Sequence, residues 1–374
     1  MKRKVAILIM SPFNKRDCER FGIEELSKSL DVKIIDLTPL LRLEVWNKFS
    51  AQNAPPVLKG YILVKNNFQF FLSIINFKPL FYFDYLGITF KCAFIRLFLR
   101  SFGVSRIVID NSLLPTPNKI KKSRMNYFFR FFDINVLQYI FNLLIDSRFT
   151  RPRLGVLSGS KYSKKVANAR EKIFIHSFDY QKSLELNSKH KFTKKKYAVF
   201  IHQDNEFDQT RLIYDNSYYT DLSLFFKKIE TTLKIDILIA LHPRHRRLIF
   251  DFFDKKKCFS GVTAELIKHS SLVIDQFSAA RQFAVIYEKP ILNLMPRHYR
   301  KGSKLYNNVI QASKELGGDI FHLSSYSSSA IDKKNIFKIN KELYKKYMEN
   351  YIKTETSPNI SLWKGIINWI EKYE

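Results

Sequence analysis

The chain has 374 residues, more than one ordinary core holds, so two domains are expected. Hydrophobic residues make up 46%, which excludes a disordered tail, and aromatics reach 15%, high for a soluble protein. The 63 Lys and Arg against 34 Asp and Glu leave a formal charge of +29, so the partner is expected to be anionic: nucleic acid, an acidic membrane surface, a nucleotide or an acidic polymer.

The run Val5 to Met10 lacks a small-residue cleavage site after it and reads as a first strand, not as an export signal. Arg16 to Leu30 has helical spacing, and Val32–Leu37 reads as a second strand. Tyr61–Val64 and Pro79–Phe83 are further strands, Thr89 to Phe102 a helix, and Arg106–Ile109 another buried strand. The apolar stretches at Phe68–Phe83, Ala93–Phe98 and Leu137–Ile145 are too short or too charged to span a bilayer. They suit either aromatic-rich core helices or a face lying on an anionic membrane. Residues from about 118 to 150 break the rhythm with a basic, aromatic and helical pattern, read as an insertion. It could pack as a core helix, dock on a membrane, bind an acceptor lipid or stack on nucleic acid.

Arg153–Leu157 and Lys172–Ile175 resume the strand pattern, and Tyr197–Ile201 opens a second sheet. Tyr218 to Leu233 is an amphipathic helix, and Asn340 to Tyr373 reads as one or two closing helices. The expected division is 1–153 for an acceptor domain, 154–340 for a nucleotide-donor domain and 341–374 for the closing helices. Three scattered cysteines, Cys18, Cys92 and Cys258, without C-x-x-C, suit a reducing cytoplasm.

The richest stretch is Ile235 to Leu294. Strands at Ile237–Leu241, Ser271–Ile274 and Pro290–Leu294 alternate with helices opening at Thr263 and Ala279, the grammar of a parallel α/β sheet. Ligands of such sheets bind beyond the carboxyl ends of the strands, where His202, His242, Arg244, Gln276 and Ser278 fall. His242 offers a directional donor and Arg244 a bidentate cation, a pair suited to phosphate; His242 could equally cap its strand. Gln276, Ser278 and the N-terminus of the helix Ala279–Tyr287 would form a second phosphate-binding element, although Ser278 also suits plain capping. Thr263 fits an N-cap, and Glu265 could accept from ribose hydroxyls. Asp17 and Asp204 are candidates for the base that deprotonates an acceptor hydroxyl. No H-E-x-x-H, D-x-D or G-x-S-x-G pattern is present, so neither a metal site nor a serine-hydrolase elbow is indicated.

With His242-Pro243, Gln276-Phe277-Ser278 and Lys289-Pro290 in order, the chain resembles GT-B glycosyltransferases of bacterial surface polysaccharide assembly, in capsule and O-antigen clusters. Its second half resembles the sialyl-, polysialyl- and Kdo-transferases and the glycerophosphotransferases of teichoic acid synthesis. Those relatives usually carry paired Ser or Ser-Thr where this chain has Asp275 to Ser278. The resemblance implies two Rossmann-like domains and transfer from a nucleotide-activated sugar, CMP-linked by preference, to a glycan or lipid-linked glycan. It implies His242 and Arg244 at the donor phosphate, no cofactor beyond the nucleotide sugar, and no metal. The basic, Phe-rich surface would then hold a cytoplasmic enzyme on the inner face of the membrane. A glycerol- or ribitol-phosphate transferase of the same fold, or a non-enzymatic polyanion-binding protein, is the alternative. Nucleic acid is disfavoured as partner because the basic residues are spread along the chain with no RRM, KH or helix-turn-helix signature.

Overall fold

The computed structural model describes residues 2–50, 58–110, 113–117, 134–186, 192–203, 216–242, 250–323 and 331–373. These form two compact units, one built from Met1–Asn111, Lys121–Phe178 and Thr356–Glu374, the other from Ser112–Ile120 and Asp179–Glu355.

The first unit holds strands β1 (Lys4–Ile9), β2 (Asp31–Asp36), β3 (Tyr61–Leu63), β4 (Phe81–Asp84), β5 (Ser105–Asp110), β6 (Leu154–Leu157) and β7 (Glu171–Phe174). They pair in parallel in the order β3-β2-β1-β4-β5-β6-β7. Parallel sheets are covered on both faces, and the alternation of side chains along each strand divides the core accordingly. Val5, Ile7, Ile9, Phe81 and Phe83 face one layer, with Leu26 and the C-terminal helix Leu362–Lys372. Ala6, Leu8 and Tyr82 face the other, with the helices Asn67–Phe77 and Phe90–Ser101.

The second unit holds β8 (Tyr197–Ile201), β9 (Asp236–Leu241), β10 (Cys258–Ser260), β11 (Leu272–Asp275), β12 (Ile291–Met295) and β13 (Ile320–His322). Their order is β10-β9-β8-β11-β12-β13, again parallel throughout. The helix Asn216–Leu233 covers one face through Leu222, Phe225, Phe226 and Ile229. The helices Thr263–His269 and Arg281–Ile286 and the run Lys341–Ile352, whose last turn is π-helical, cover the other.

Two expectations about organisation change. The boundary at 153 does not hold, because β6 and β7 pair onto β5 and complete the first sheet; the units divide after Phe178. Nor do residues 341–374 form one closing element. Lys341–Tyr347 packs in the second unit and Leu362–Lys372 in the first, each led there by its own apolar stripe. Of the expected insertion, 118–133 lies outside the described residues, and Ile134–Arg148 is a helix of the first unit.

Candidate functional site

In each sheet the chain lays strands to one side of a central pair and then to the other, and ligand crevices form at that reversal. In the second sheet the reversal falls between β8 and β11. Ile274 pairs with Phe200, so the same register carried two residues on sets Gln276 beside His202. The His202 N–H donates to the Ala240 carbonyl (3.0 Å), tying this end of β8 to β9, which ends at Leu241 just before His242. His202, Gln276 and His242 therefore share the carboxyl edge of three adjacent strands, β9, β8 and β11.

Each group there has a distinct setting. His202 is 4% exposed, its ring 6.5 Å from that of Phe200, whereas His242 is half-buried. Gln276 is fully buried; its amide donates to the Tyr218 hydroxyl (2.7 Å), and its Oε1 has no hydrogen-bond partner among the described residues. A buried carbonyl left in that state costs free energy that a donor from a ligand would recover. The Tyr218 ring stands 5.6 Å from that of His298, edge to face. His298 lies beyond β12, in Pro296-Arg297-His298-Tyr299-Arg300, a second cluster of imidazole and arginine after a buried strand. Sequence reasoning missed it, although the rule that singled out His242 applies there too.

The segment after β11 differs from expectation. The helix begins at Arg281, not Ala279, and is only six residues long. Its approach is organised by Asp275, which accepts from Phe277 N (3.0 Å) and Ser278 N (2.9 Å), while Ser278 Oγ accepts from Ala280 N (3.2 Å). Three backbone N–H groups leading into the helix, those of Phe277, Ser278 and Ala280, are thus bonded within the turn. Of the groups in the expected second phosphate-binding element, the Gln276 amide is taken by Tyr218, and the Ser278 N–H is taken by the buried Asp275 carboxylate. Arg281, also fully buried, completes the knot: Nε donates to Asp275 (2.8 Å), Nη2 bonds Asp275 and reaches Asn293 (3.3 Å). Its guanidinium also lies over the Phe277 ring at 5.4 Å. Phe277 sits at φ +95°, a backbone state a bulky residue adopts only where its surroundings impose it.

Other predicted residues are placed as follows. Thr263 is the first residue of its helix; Val262 is the cap, with no side-chain capping bond, so Thr263 does not cap. Glu265 lies in that first turn, beyond the edge strand β10 and two strands from the reversal. Burial, with the Glu265 charge added, raises the Tyr287 hydroxyl pKa. Lys289 and Pro290 precede β12 and so lie at the opposite edge of the sheet from His242. Arg244 and Asp204 lie outside the described residues. Asp17 belongs to the first unit, one turn beyond the loop after β1, where that sheet reverses. Its carboxylate accepts from Asn14 N (3.2 Å) while Asn14 Oδ1 accepts from Asp17 N (3.2 Å), a capping box. No group of three or more His, Cys, Asp or Glu among the described residues could hold a metal ion.

No protein-family model matches the chain, and no curated protein sequence matches it. Solved structures do share its fold. A variant of the wall teichoic acid polymerase TagF aligns with TM-score 0.59 and 13% identity, over 99% of this chain and 88% of that one. The UDP-GlcNAc 2-epimerase of Methanocaldococcus jannaschii aligns with TM-score 0.51 and 12% identity, over 99% and 100%. MurG of Acinetobacter baumannii gives 0.50 and 9%, over 99% and 100%. The likeness shows the fold, two Rossmann-like α/β units of the GT-B type.

Proposed function

We propose that the chain is a glycosyltransferase that moves a sugar, by preference a CMP-linked acidic sugar, from its nucleotide to a hydroxyl of a surface polysaccharide or lipid-linked glycan. The observation that carries this reading is the gathering of His202, His242 and Gln276 at the carboxyl edge of β8, β9 and β11, around the reversal of the second sheet. Folds of this kind serve nucleotide-linked substrates elsewhere: the epimerase is named for UDP-GlcNAc, and a TagF structure was soaked with CDPG.

In this reading the donor phosphate lies against His242 and Arg244, and Gln276 Oε1, without a partner among the described residues, accepts from a hydroxyl or amine of the nucleoside. The acceptor oxygen bonds to the anomeric carbon as the bond from that carbon to the phosphate oxygen breaks. The electron pair stays on the phosphate, where His242 and Arg244 stabilise it. The hydroxyl proton passes to a carboxylate, Asp17 or Asp204. With cationic side chains in that role, transfer needs no metal. The TagF likeness favours one second reading, transfer of glycerol or ribitol phosphate, in which the same hydroxyl attacks the polyol-bearing phosphorus instead and the nucleoside monophosphate leaves with the bridging oxygen.

The acceptor side of the reading places the protein on the inner membrane face. No helix among the described residues is long and apolar enough to cross a membrane. The helices Asn67–Phe77, Phe90–Ser101 and Ile134–Arg148 nevertheless leave Phe68 (68%), Phe94 (60%) and Leu144 (58%) exposed, which suits shallow insertion beside basic residues.

The deciding experiment is thermal unfolding with CMP, CDP, UDP and GDP, on wild type and His242→Ala. A nucleotide at ~100 times its dissociation constant adds about 2.7 kcal/mol to stability. One nucleotide should stabilise the wild type and lose that effect in His242→Ala, and its base names the donor class. If none stabilises the wild type, the donor-site assignment fails.

A further inference from the structure

We infer that a pocket at the amino-terminal edge of the first sheet binds a phosphate group through arginines that take no part in the proposed transfer. The pocket has a volume of about 50 Å³, and six arginines line it: Arg96, Arg100, Arg106, Arg151, Arg153 and Arg170. Ser105, also on its wall, is the first residue of β5; Arg153 immediately precedes β6, and Arg170 immediately precedes β7. The pocket therefore lies at the opposite edge of this sheet from the carboxyl ends where β1 and β4 part.

Charge accounting supports an anion. Asp84 pairs with Arg96 (2.8 Å) and Arg106 (2.6 Å), Asp146 with Arg106 (2.7 Å), and Glu171 with Arg153 (2.8 Å). Among the described residues, six guanidinium groups against three carboxylates leave three positive charges without a counter-charge around one small cavity. Gathering like charges this way is unfavourable unless an anion joins them. Arg100 and Arg170 are exposed, and neither forms a side-chain hydrogen bond or ion pair among the described residues.

Two of the arginines are held in place with donors to spare. Arg153 lies over the Tyr373 ring (4.9 Å), and its buried Nε has no hydrogen-bond partner among the described residues. Arg151 is anchored through Nε to the Asn168 carbonyl (2.6 Å), which leaves its terminal nitrogens available. A single water needs roughly 10–15 Å³ of such space, so this cavity has room for a group of several heavy atoms. Planar guanidinium forks match tetrahedral phosphate oxygens in pairs. The phosphate could be soluble or could belong to a lipid headgroup. Phe102 and Phe149, each two residues from a pocket arginine, are 49% and 57% exposed and could meet acyl chains.

The test compares wild type with R100Q/R170Q, which removes two exposed arginines without breaking an internal pair. Inorganic pyrophosphate is titrated at constant ionic strength with melting temperature as readout. In a second arm, phosphatidylcholine vesicles containing phosphatidic acid are compared with vesicles carrying equal charge as phosphatidylglycerol. A soluble ligand predicts saturable stabilisation by pyrophosphate, kept in His242→Ala and about tenfold weaker in R100Q/R170Q, the size of one lost charge-assisted hydrogen bond. A lipid ligand predicts that wild type prefers phosphatidic acid vesicles and that R100Q/R170Q loses the preference. The proposal is overturned if wild type and variant respond alike in both arms, or if pyrophosphate and phosphatidic acid act no differently from sodium chloride and phosphatidylglycerol.

Discussion

One carboxylate at the end of β11 shows how a single side chain can decide what its neighbours are free to do. Asp275 takes two backbone N–H groups and the guanidinium of Arg281, all with no exposed surface on either charge. Asp84 at the end of β4 repeats the pattern, accepting from Leu86 N (2.9 Å) and from Arg96 (2.8 Å). In both sheets an acid at a strand end, beside the reversal, turns the chain and pairs with an arginine further on. Removing one partner of a buried pair leaves the other charge uncompensated and costs about 3–5 kcal/mol. Asp275→Asn keeps the shape but not the charge, and one amide cannot accept from all the donors that now converge there. Its urea midpoint should fall accordingly, with an unchanged denaturant slope. A midpoint within error of wild type would mean that the knot does not hold this turn. With the turn loosened, Gln276 and Phe277 lose their fixed positions, so nucleotide-induced stabilisation should weaken as well.

At the scale of elements, Gly22 divides what the residue pattern presents as one helix from Arg16 to Leu30. Lys15–Arg20 ends there, and Ile23–Ser29 starts in a new direction, with Gly22 at φ +57°. A Cβ on Gly22 would lie 2.2 Å from the Trp363 indole, so the kink is also where the C-terminal helix seats a buried tryptophan. Gly22→Ala combines left-handed strain with overpacking and should cost about 3 kcal/mol in chemical denaturation. Loss of less than a third of that would show that Trp363 moves aside easily. Most strands were legible because short aliphatic runs between turn residues have few other solutions; the three-residue β10 and β13 were not. The helix Lys304–Leu316 was not read, since its polar residues hide the signal; its Ser303 cap and Gly317 terminator were the available clues. The boundary at 153 failed for another reason: β6 and β7 follow the same strand–helix grammar whichever sheet they join. His202, His242 and Gln276 were legible as strand-end residues because position at a strand end follows from the strand itself; His298 was not singled out. The fate of the donors near Ser278 was not legible, because it depends on which way the Asp275 carboxylate points.

The whole molecule combines a charge of +29 with large apolar side chains left in water on three helices of the first unit. These two features answer differently to salt. Charge acting at a distance is screened within about 10 Å at ~0.1 M salt and about 3 Å at ~1 M, whereas apolar insertion is not weakened by screening. Binding to phosphatidylglycerol-containing vesicles should therefore drop between these salt concentrations without vanishing. Phe68→Ser with Phe94→Ser should remove the salt-resistant fraction and leave the low-salt binding, because both side chains are more than half exposed and neither substitution alters the net charge. Cosedimentation separates the cases. If the variant keeps the salt-resistant binding, the exposed aromatics are not the inserting surface. If wild type ignores vesicles but binds RNA with a steep salt slope, the charge serves a nucleic acid and the membrane reading is wrong. Retained high-salt binding that depends on Phe68 and Phe94 would place a lipid-linked acceptor within reach of the first unit, the unit that carries Asp17.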